Sequence, residues 1–210
     1  MTKILIADDH PIVREGLKQI ILGMPDKIVV HEAGTSQEVL NKVWKTDYDV
    51  ILLDISLPDR NGLDTLRELK RAKPDLRVLV ITMHPEEQYA VRAIRAGASG
   101  YLTKESAPDE LVAAIQTISL GRKYISSSLA EKLAFALEVD AQKPPHETLS
   151  DREYQVMCMI ASGKTPTEIA RELMLSVKTI STYRSRILIK MQMNSAADLI
   201  RYAVKHGLVD

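Results

Sequence analysis

Cysteine is nearly missing from this chain of 210 residues: Cys158 is the only one. A lone thiol excludes an internal disulfide framework and any metal site made of clustered cysteines. No stretch approaches the roughly 20 consecutive apolar residues that a membrane helix needs. Met1-Thr2-Lys3-Ile4 passes into strand-like sequence too soon for a signal peptide. Internal repeats and low-complexity tracts are missing as well. Tryptophan and phenylalanine occur once each, as Trp44 and Phe135, and both read as apolar anchors. What is there is a chain 45% apolar and 27% charged, which can bury a core and is too apolar for wholesale disorder. Its length suits one or two domains at roughly 150 residues each. A soluble, cytoplasmic protein without a membrane segment is expected.

Net charge is zero, with 28 Lys/Arg against 28 Asp/Glu. The balance is uneven along the chain. Residues 148–210 hold nine Lys/Arg and six Asp/Glu, so the remainder is acidic. That asymmetry is the direction expected if only the C-terminal part meets a polyanion.

Residues 1–120 alternate short β-branched runs with amphipathic stretches of helical length. Strands are expected at Ile4–Ala7, Ile28–Val30, Val50–Leu53, Val78–Ile81 and Gly100–Thr103, with helices near 11–22, 36–45, 62–72, 86–96 and 107–120. Nearly continuous apolar runs mark strands covered on both faces. Five β–α units in a row predict a parallel α/β sheet wrapped by helices. After Gly121 the strand signals stop. Residues 127–139 read as a further helix, and Ala141 to Glu147 as a linker in which Pro144-Pro145 favours an extended spacer. The division expected is 1–121, 122–147 and 148–210, with the boundary inside 140–148.

In such a sheet, function gathers at the carboxyl ends of the strands, where strand order reverses. The first strand ends in Asp8-Asp9 and the third in Asp54. A flavodoxin-like order makes those strands neighbours, so three carboxylates converge. The cluster repels itself unless a cation sits there, and an oxygen-only donor set suits Mg²⁺. The fourth strand ends in Thr82 and the fifth in Lys104. An ammonium and a hydroxyl facing carboxylates suit a phosphoryl group, with one carboxylate as nucleophile. Asp54 stands alone at a central strand end and is the candidate nucleophile. Asp8 and Asp9 are placed to hold metal, and the backbone carbonyl of Ser56 is a further candidate ligand. Any one of these residues alone would read as a turn or cap residue; their joint occurrence at four strand ends does not.

Ile4 to Asp9, Leu53-Asp54, Leu57-Pro58-Asp59-Arg60-Asn61-Gly62, Val80-Ile81-Thr82 and Gly97 to Lys104 together resemble the receiver domain of two-component response regulators. The resemblance implies that Asp54 accepts a phosphoryl group from a sensor histidine kinase. It implies Mg²⁺ held by Asp8, Asp9 and Asp54, and phosphate contacts from Thr82 and Lys104. Tyr101 would be the aromatic whose rotamer follows Thr82 inward. Where many receivers have proline after the lysine, this chain has Glu105, which puts the cis peptide often found there in question.

From Leu149 on, the pattern is helical. Ser150-Asp151-Arg152-Glu153 and Thr165-Pro166-Thr167-Glu168 have the capping-box form, the second with proline at the first helical position. Ser176 and Ser195 can cap two more helices, and Gly163 and Gly207 supply stops. Helices at 166–174 and 177–191 joined by Leu175-Ser176 fit a helix-turn-helix. Unwrapped at about 100° per residue, the third helix gathers Ile180, Ile187 and Met191 on one face. Lys178, Ser181, Thr182 and Ser185 fall opposite, with Arg184, Arg186 and Lys190 alongside. Such a helix suits the major groove, with small polar groups toward base edges and cations toward phosphates. Leu149 to Glu153, Ile160 to Thr165, Glu168-Ile169-Ala170 and Ser176 to Ile180, Thr179 among them, resemble the LuxR-type helix-turn-helix. Behind a receiver, that defines the NarL/FixJ class. The resemblance implies 177–190 as recognition helix and 195–206 as a helix often used for dimerisation. Double-stranded DNA half-sites, the kinase and a second copy of the chain are the implied partners, and RNA polymerase is a further candidate.

The reading that follows is a phosphorylation-gated transcription factor, not an enzyme. Its rival is a Mg²⁺-dependent phosphatase working through an aspartyl-phosphate, against which the loops are short and lack a substrate-specificity insertion. A third reading keeps DNA binding and uses the receiver only for dimerisation. Cys158 reads as core packing. His10, His31, His84, His146 and His206 show no metal-ligand spacing. Tyr89, Val91, Ala93 and Ile94 read either as core or as a receiver interface.

Overall fold

The computed structural model describes residues 1–25, 27–126, 129–131 and 144–209. Two compact units divide the chain, Met1–Ala130 and Glu131–Asp210. The expected helix at 127–139 lies outside the described residues except at 129–131, and Phe135 and the spacer residues 141–143 lie outside them too.

The first unit runs β1 (Thr2–Ala7), α1 (Pro11–Leu22), β2 (Ile28–Ala33), α2 (Ser36–Lys45), β3 (Val50–Leu53), α3 (Gly62–Ala72), β4 (Val78–Thr82), α4 (Glu86–Arg95), β5 (Gly100–Thr103) and α5 (Pro108–Ser119). All strand pairs are parallel, in the order β2-β1-β3-β4-β5. This is the flavodoxin-like sheet, with β1 and β3 adjacent. One face packs Ile4, Ile6, Leu52, Leu79, Ile81 and Leu102 against Ile21 of α1 and Leu111, Ile115 and Ile118 of α5. Leu5, Ile51, Leu53 and Val80, of opposite parity, are equally buried, so the sheet is covered on both faces as its apolar runs require. Tyr89, Ala90 and Ala93 of α4 are buried, which makes them core.

Two expectations are corrected here. Strand β2 continues to Ala33, because all six of its residues pair with β1, although His31 and Glu32 interrupt its apolar pattern. Trp44 is 63% exposed and anchors nothing. Helix α2 turns Val39, Leu40 and Val43 inward, and Trp44, about 100° on from Val43, falls just outside the Leu40 edge of that stripe.

The second unit holds α6 (Asp151–Ala161), α7 (Pro166–Glu172), α8 (Val177–Lys190) and α9 (Ala196–Lys205). Both capping boxes form, Ser150 with Glu153 and Thr165 with Glu168. Ser176 and Ser195 accept from the backbone N–H groups of Thr179 and Asp198. Gly163 and Gly207 end their helices at positive φ. The α7–α8 turn spans Leu173 to Ser176, longer than Leu175-Ser176, and Met174 sits in the left-handed region at φ 52°. Pro144 is extended (φ −54°, ψ 142°), and the extended stretch does not continue past it. Pro145 begins a single 3₁₀ turn, Pro145–Thr148, a first position where its missing N–H costs nothing. Cys158 is buried in α6.

Candidate functional site

The sheet's register builds the pocket. Ala7 pairs with Leu53, and the backbone N–H of Asp54 donates to the carbonyl of Ala7 at 2.9 Å. Asp8 and Asp54, the next residues of those strands, therefore emerge side by side. One residue past the β4–β5 pairing, the N–H of Lys104 donates to the carbonyl of Thr82 at 2.8 Å. Lys104 Nζ then lies 2.6 Å from Asp8 Oδ2 and 2.6 Å from Asp54 Oδ2, and both carboxylates are buried. Burial pulls the ammonium's pKa down, but Asp54 and Asp8 outweigh it and hold Lys104 above its ordinary 10.5. The lysine is charged at neutral pH and serves two carboxylates at once.

Asp9 adds a third carboxylate at the rim. Its Oδ1 is buried without a hydrogen bond of acceptable geometry, although His10 Nδ1 is 2.7 Å away. Asp8, Asp9 and His10 each bring one ligand atom within 4.8 Å of the others. Asp8 and Asp54 share one ammonium, and Asp9, beside them, has a buried oxygen with no hydrogen-bond donor, so the set is rich in hard oxygen ligands and short of positive charge. A divalent cation fits it.

The loop after β3 is fixed from several sides. The N–H of Ser56 donates to Asp54 Oδ1 at 3.0 Å. Asp59 accepts from the backbone of Ser36 and Gln37 at 2.8 and 3.0 Å, capping α2 from outside its own chain segment. Asn61 caps α3, and Arg60 pairs with Glu68. Gly62 is required by close approach: a Cβ there would lie 2.5 Å from the carbonyl oxygen of Asp54 and from Ile55 Cα.

Across the pocket, Thr82 is fully buried and its hydroxyl accepts from the N–H of His84 at 3.4 Å. Tyr101 is buried, and its hydroxyl donates to the carbonyl of His84 at 2.9 Å. The His84 ring lies 3.2 Å from Ser56 Oγ through Nε2 and rests against Tyr89 with centroids 4.6 Å apart. Sequence reasoning passed over His84, whereas His10, read as a helix entry able to tune the pocket, is the N-cap residue of α1 and lies against Asp8 and Asp9. His10 directly follows the acidic pair. His84 stands two residues beyond the end of β4, beside the loop that carries Ser56 on the adjacent parallel strand, and that adjacency was the available signal. Among the described residues no peptide bond is cis, at Glu105 or elsewhere.

In the second unit, α8 buries Ile180 and Ile187, with Met191 buried at its C-cap, and leaves Lys178, Ser181, Thr182, Arg184, Ser185 and Arg186 exposed. The hydroxyls of Ser181, Thr182 and Ser185 donate to the carbonyls of Val177, Lys178 and Ser181, four residues back, at 3.0, 3.0 and 3.1 Å. What they offer outward is an acceptor lone pair. Thr179 is half-buried, with its hydroxyl 2.8 Å from that of Ser176. Lys190 is set apart from the other cations. Its Nζ is 2.6 Å from the buried carboxylate of Glu153, so it braces α8 against α6. That carboxylate is penalised by burial, but Lys190 and the backbone of Ser150 hold its pKa below the usual 4.5.

Residues 4–116 match the family described as the response regulator receiver domain, and residues 147–203 match the luxR family of bacterial regulatory proteins. The chain is 36% identical over 211 residues to response regulator GacA of Pseudomonas aeruginosa, covering 100% of this chain and 99% of that one. It is 35% identical over 209 residues to response regulator UvrY of Escherichia coli, covering 99% and 96%. Among solved structures, RcsB of Salmonella enterica serovar Typhimurium bound to promoter rprA with the phosphomimetic BeF₃⁻ aligns with a TM-score of 0.64 and 28% identity over 96% of this chain and 98% of that chain. A structure of two RcsB dimers on two parallel DNAs aligns at 0.59 and 28%, over 97% and 98%.

Proposed function

The chain belongs to the response regulators of the NarL/FixJ class, which join a receiver to a LuxR-type helix-turn-helix domain, and from that premise we propose that a phosphoryl group on Asp54 gates its binding to promoter DNA. The observation that carries this is the ammonium of Lys104 held 2.6 Å from both Asp8 and Asp54. The N–H of Ser56 and Nζ of Lys104 fix the two oxygens of Asp54, and with them the plane of the carboxylate. An Asp54 oxygen attacks the phosphorus of a phosphohistidine on a sensor kinase. The new O–P bond forms as the P–N bond breaks, and the imidazole leaves with the electron pair and takes up a proton. Lys104 then follows the charge onto a phosphoryl oxygen, and the Thr82 hydroxyl turns to donate to another. Asp8, Asp9, Asp54 and the Ser56 carbonyl would hold Mg²⁺, which when bound neutralises phosphoryl oxygens. The modification adds about −1.5 to −2 charge at pH 7 if it titrates like other phosphate esters. Thr82 and Tyr101 are the switch pair, reshaping the face built from β4, β5 and their helices.

The output is transcription control in the cytoplasm rather than turnover of a substrate. Helix α8 enters the major groove, with Lys178, Ser181, Thr182 and Ser185 toward base edges and Arg184 and Arg186 toward phosphates. The back-bonded hydroxyls would accept from base amino groups, while Thr179 orders the helix start. A second copy of the chain pairs with the first on two half-sites when Asp54 is modified, and RNA polymerase is met at the promoter. The receiver unit is taken as 1–121 and the DNA-binding unit as 148–210. No helix among the described residues is long and apolar enough to cross a membrane.

The test compares wild type with Asp54→Ala, each treated with acetyl phosphate and Mg²⁺, by intact mass and by DNA affinity. One added phosphoryl group and tighter DNA binding are expected in the wild type alone. Equal DNA responses in both proteins would contradict gating, and steady release of phosphate from a soluble phosphoester would favour the phosphatase.

A further inference from the structure

Strand β2 runs on past its apolar part, and the extra length brings it level with the acidic pocket. Glu32 pairs with Ile6 and Ala33 with Ala7, and the N–H of Asp8 donates to the carbonyl of Ala33 at 3.1 Å. There β2 ends, and a side chain serves the Asp8 carbonyl instead: Arg14 of α1 donates to it from Nη1 at 2.7 Å. The same guanidinium donates from Nε to Glu32 Oε2 at 3.1 Å. Glu32 Oε1 accepts from Lys18 Nζ at 3.0 Å, and Lys42 of α2 donates to the Glu32 carbonyl at 2.5 Å. Lys18 and Arg14 hold the Glu32 carboxyl below its usual 4.5, so it is ionised at neutral pH. With its side chain only 18% exposed, Arg14 is not a solvated surface charge. One arm of it is aimed by Glu32, and the other grips the backbone of the pocket.

The carbonyl that Arg14 holds belongs to the peptide joining Asp8 to Asp9. The Asp8 side chain is fixed on its own account, since Oδ1 accepts from the N–H of His10 at 2.8 Å and Oδ2 meets Lys104. Asp9 has less to hold it, with its Oδ1 buried and without a hydrogen bond of acceptable geometry. Its direction therefore depends on the plane of the peptide before it. We propose that Arg14 is a positioning residue for divalent-cation binding: by pinning the Asp8 carbonyl it sets the Asp8–Asp9 peptide plane, and so presents the two carboxylates at one spacing before the ion arrives. This role rests on the reading given above in so far as that reading puts Mg²⁺ beside Asp8 and Asp9. Groups that orient a metal's ligands without touching the metal change its affinity by about 10–100-fold. Lys18 supplies a comparison inside the same network. It grips the same Glu32 carboxylate from one turn further along α1, and its partners are Glu32 and Glu15, so it braces the helix to the strand without holding Asp8.

The test is the Mg²⁺ dissociation constant of the full chain without any phosphodonor, taken from the rise in melting temperature across a Mg²⁺ series. Phosphoryl uptake from acetyl phosphate, followed by intact mass over the same series, is the second readout. Arg14→Gln should raise the dissociation constant about tenfold. Its uptake should be slow at low Mg²⁺ and return to the wild-type rate at saturation. Glu32→Gln keeps an acceptor for Nε and loses the charge that aims it, so a smaller rise in the same direction is expected; this variant carries the test if Arg14→Gln does not fold. Lys18→Gln should melt earlier in metal-free buffer and keep the wild-type dissociation constant. A wild-type constant in Arg14→Gln, an equal rise in Lys18→Gln, or uptake that stays slow at saturating Mg²⁺ would overturn the positioning role. So would a wild type whose melting ignores Mg²⁺. A wild type that binds Mg²⁺ about tenfold more tightly than Arg14→Gln and yet takes up no phosphoryl group would overturn the Asp54 reading and leave the role of Arg14 standing.

Discussion

A single side chain, Lys104, holds the pocket together electrostatically. Removing it leaves two buried carboxylates adjacent with no cation between them, and losing one partner of a buried pair is more damaging than its net worth suggests. Lys104→Met should lower stability by up to about 3 kcal/mol in metal-free buffer, and Mg²⁺ should restore more of it in the variant than in the wild type. Calorimetric melting with and without Mg²⁺ reads both. Because pairing raises the Lys104 pKa, its contribution is complete below pH 10.5 and fades only as pH climbs past the raised value. Neutral buffers see all of it. Glu153 has the opposite sign. Its folded pKa lies below 4.5, so its contribution is present above pH 4.5 and is lost as pH falls through the lower folded value. Glu153→Gln should cost about 1–2 kcal/mol at pH 7 and flatten the acid limb of the second unit's unfolding profile. Asp8, Asp54 and Thr82 directly follow apolar runs, and Asp9 and Lys104 lie within a residue or two of a strand end, so that finding the strands locates all five. His84 was not, since its place depends on how a loop turns after the strand has ended.

At the scale of elements, the loop from Ser56 to Gly62 is fixed before α3 starts. Gly62 allows the helix to begin against the backbone that carries Asp54, and a methyl group at 2.5 Å from two backbone atoms cannot be accommodated by a side-chain shift. Gly62→Ala should therefore destabilise the first unit by roughly 2–4 kcal/mol and slow phosphoryl uptake at Asp54. Circular dichroism melting and timed mass spectrometry check the two effects. The capped helices of the second unit were plain in sequence because a capping box states its geometry within four residues. The left-handed Met174 and the 3₁₀ turn at Pro145 were not. Packing of the flanking segments imposes the first on a residue with no preference for it, and proline at a first position is compatible with more than one continuation. Trp44 misled because size suggests burial, whereas helix phase decides it.

Over the whole molecule, the change from alternating to purely helical pattern near residue 121 shows two units, and each has its own core. The cations of α8 divide by their partners. Arg184 and Arg186 are exposed, while Lys190 is committed to Glu153. Arg184→Ala should weaken DNA binding across all sequences and reduce the slope of log affinity against log salt by about 0.9. Lys190→Ala should leave that slope nearly unchanged and lower the melting temperature of the second unit instead. Fluorescence anisotropy over a salt series separates the two, and an equal loss of slope in both variants would show that Lys190 leaves Glu153 for a phosphate. Sequence placed all three cations alongside the buried stripe without distinguishing them, and only the three-dimensional position of Glu153 tells them apart.

Helix α2 carries the chain's sole indole on its water-facing side. Its intrinsic emission should already be that of a solvated chromophore in the native state, and denaturant should shift it little. For a spectroscopist that is an opening: a tryptophan placed in either core would report over a background whose wavelength unfolding hardly changes.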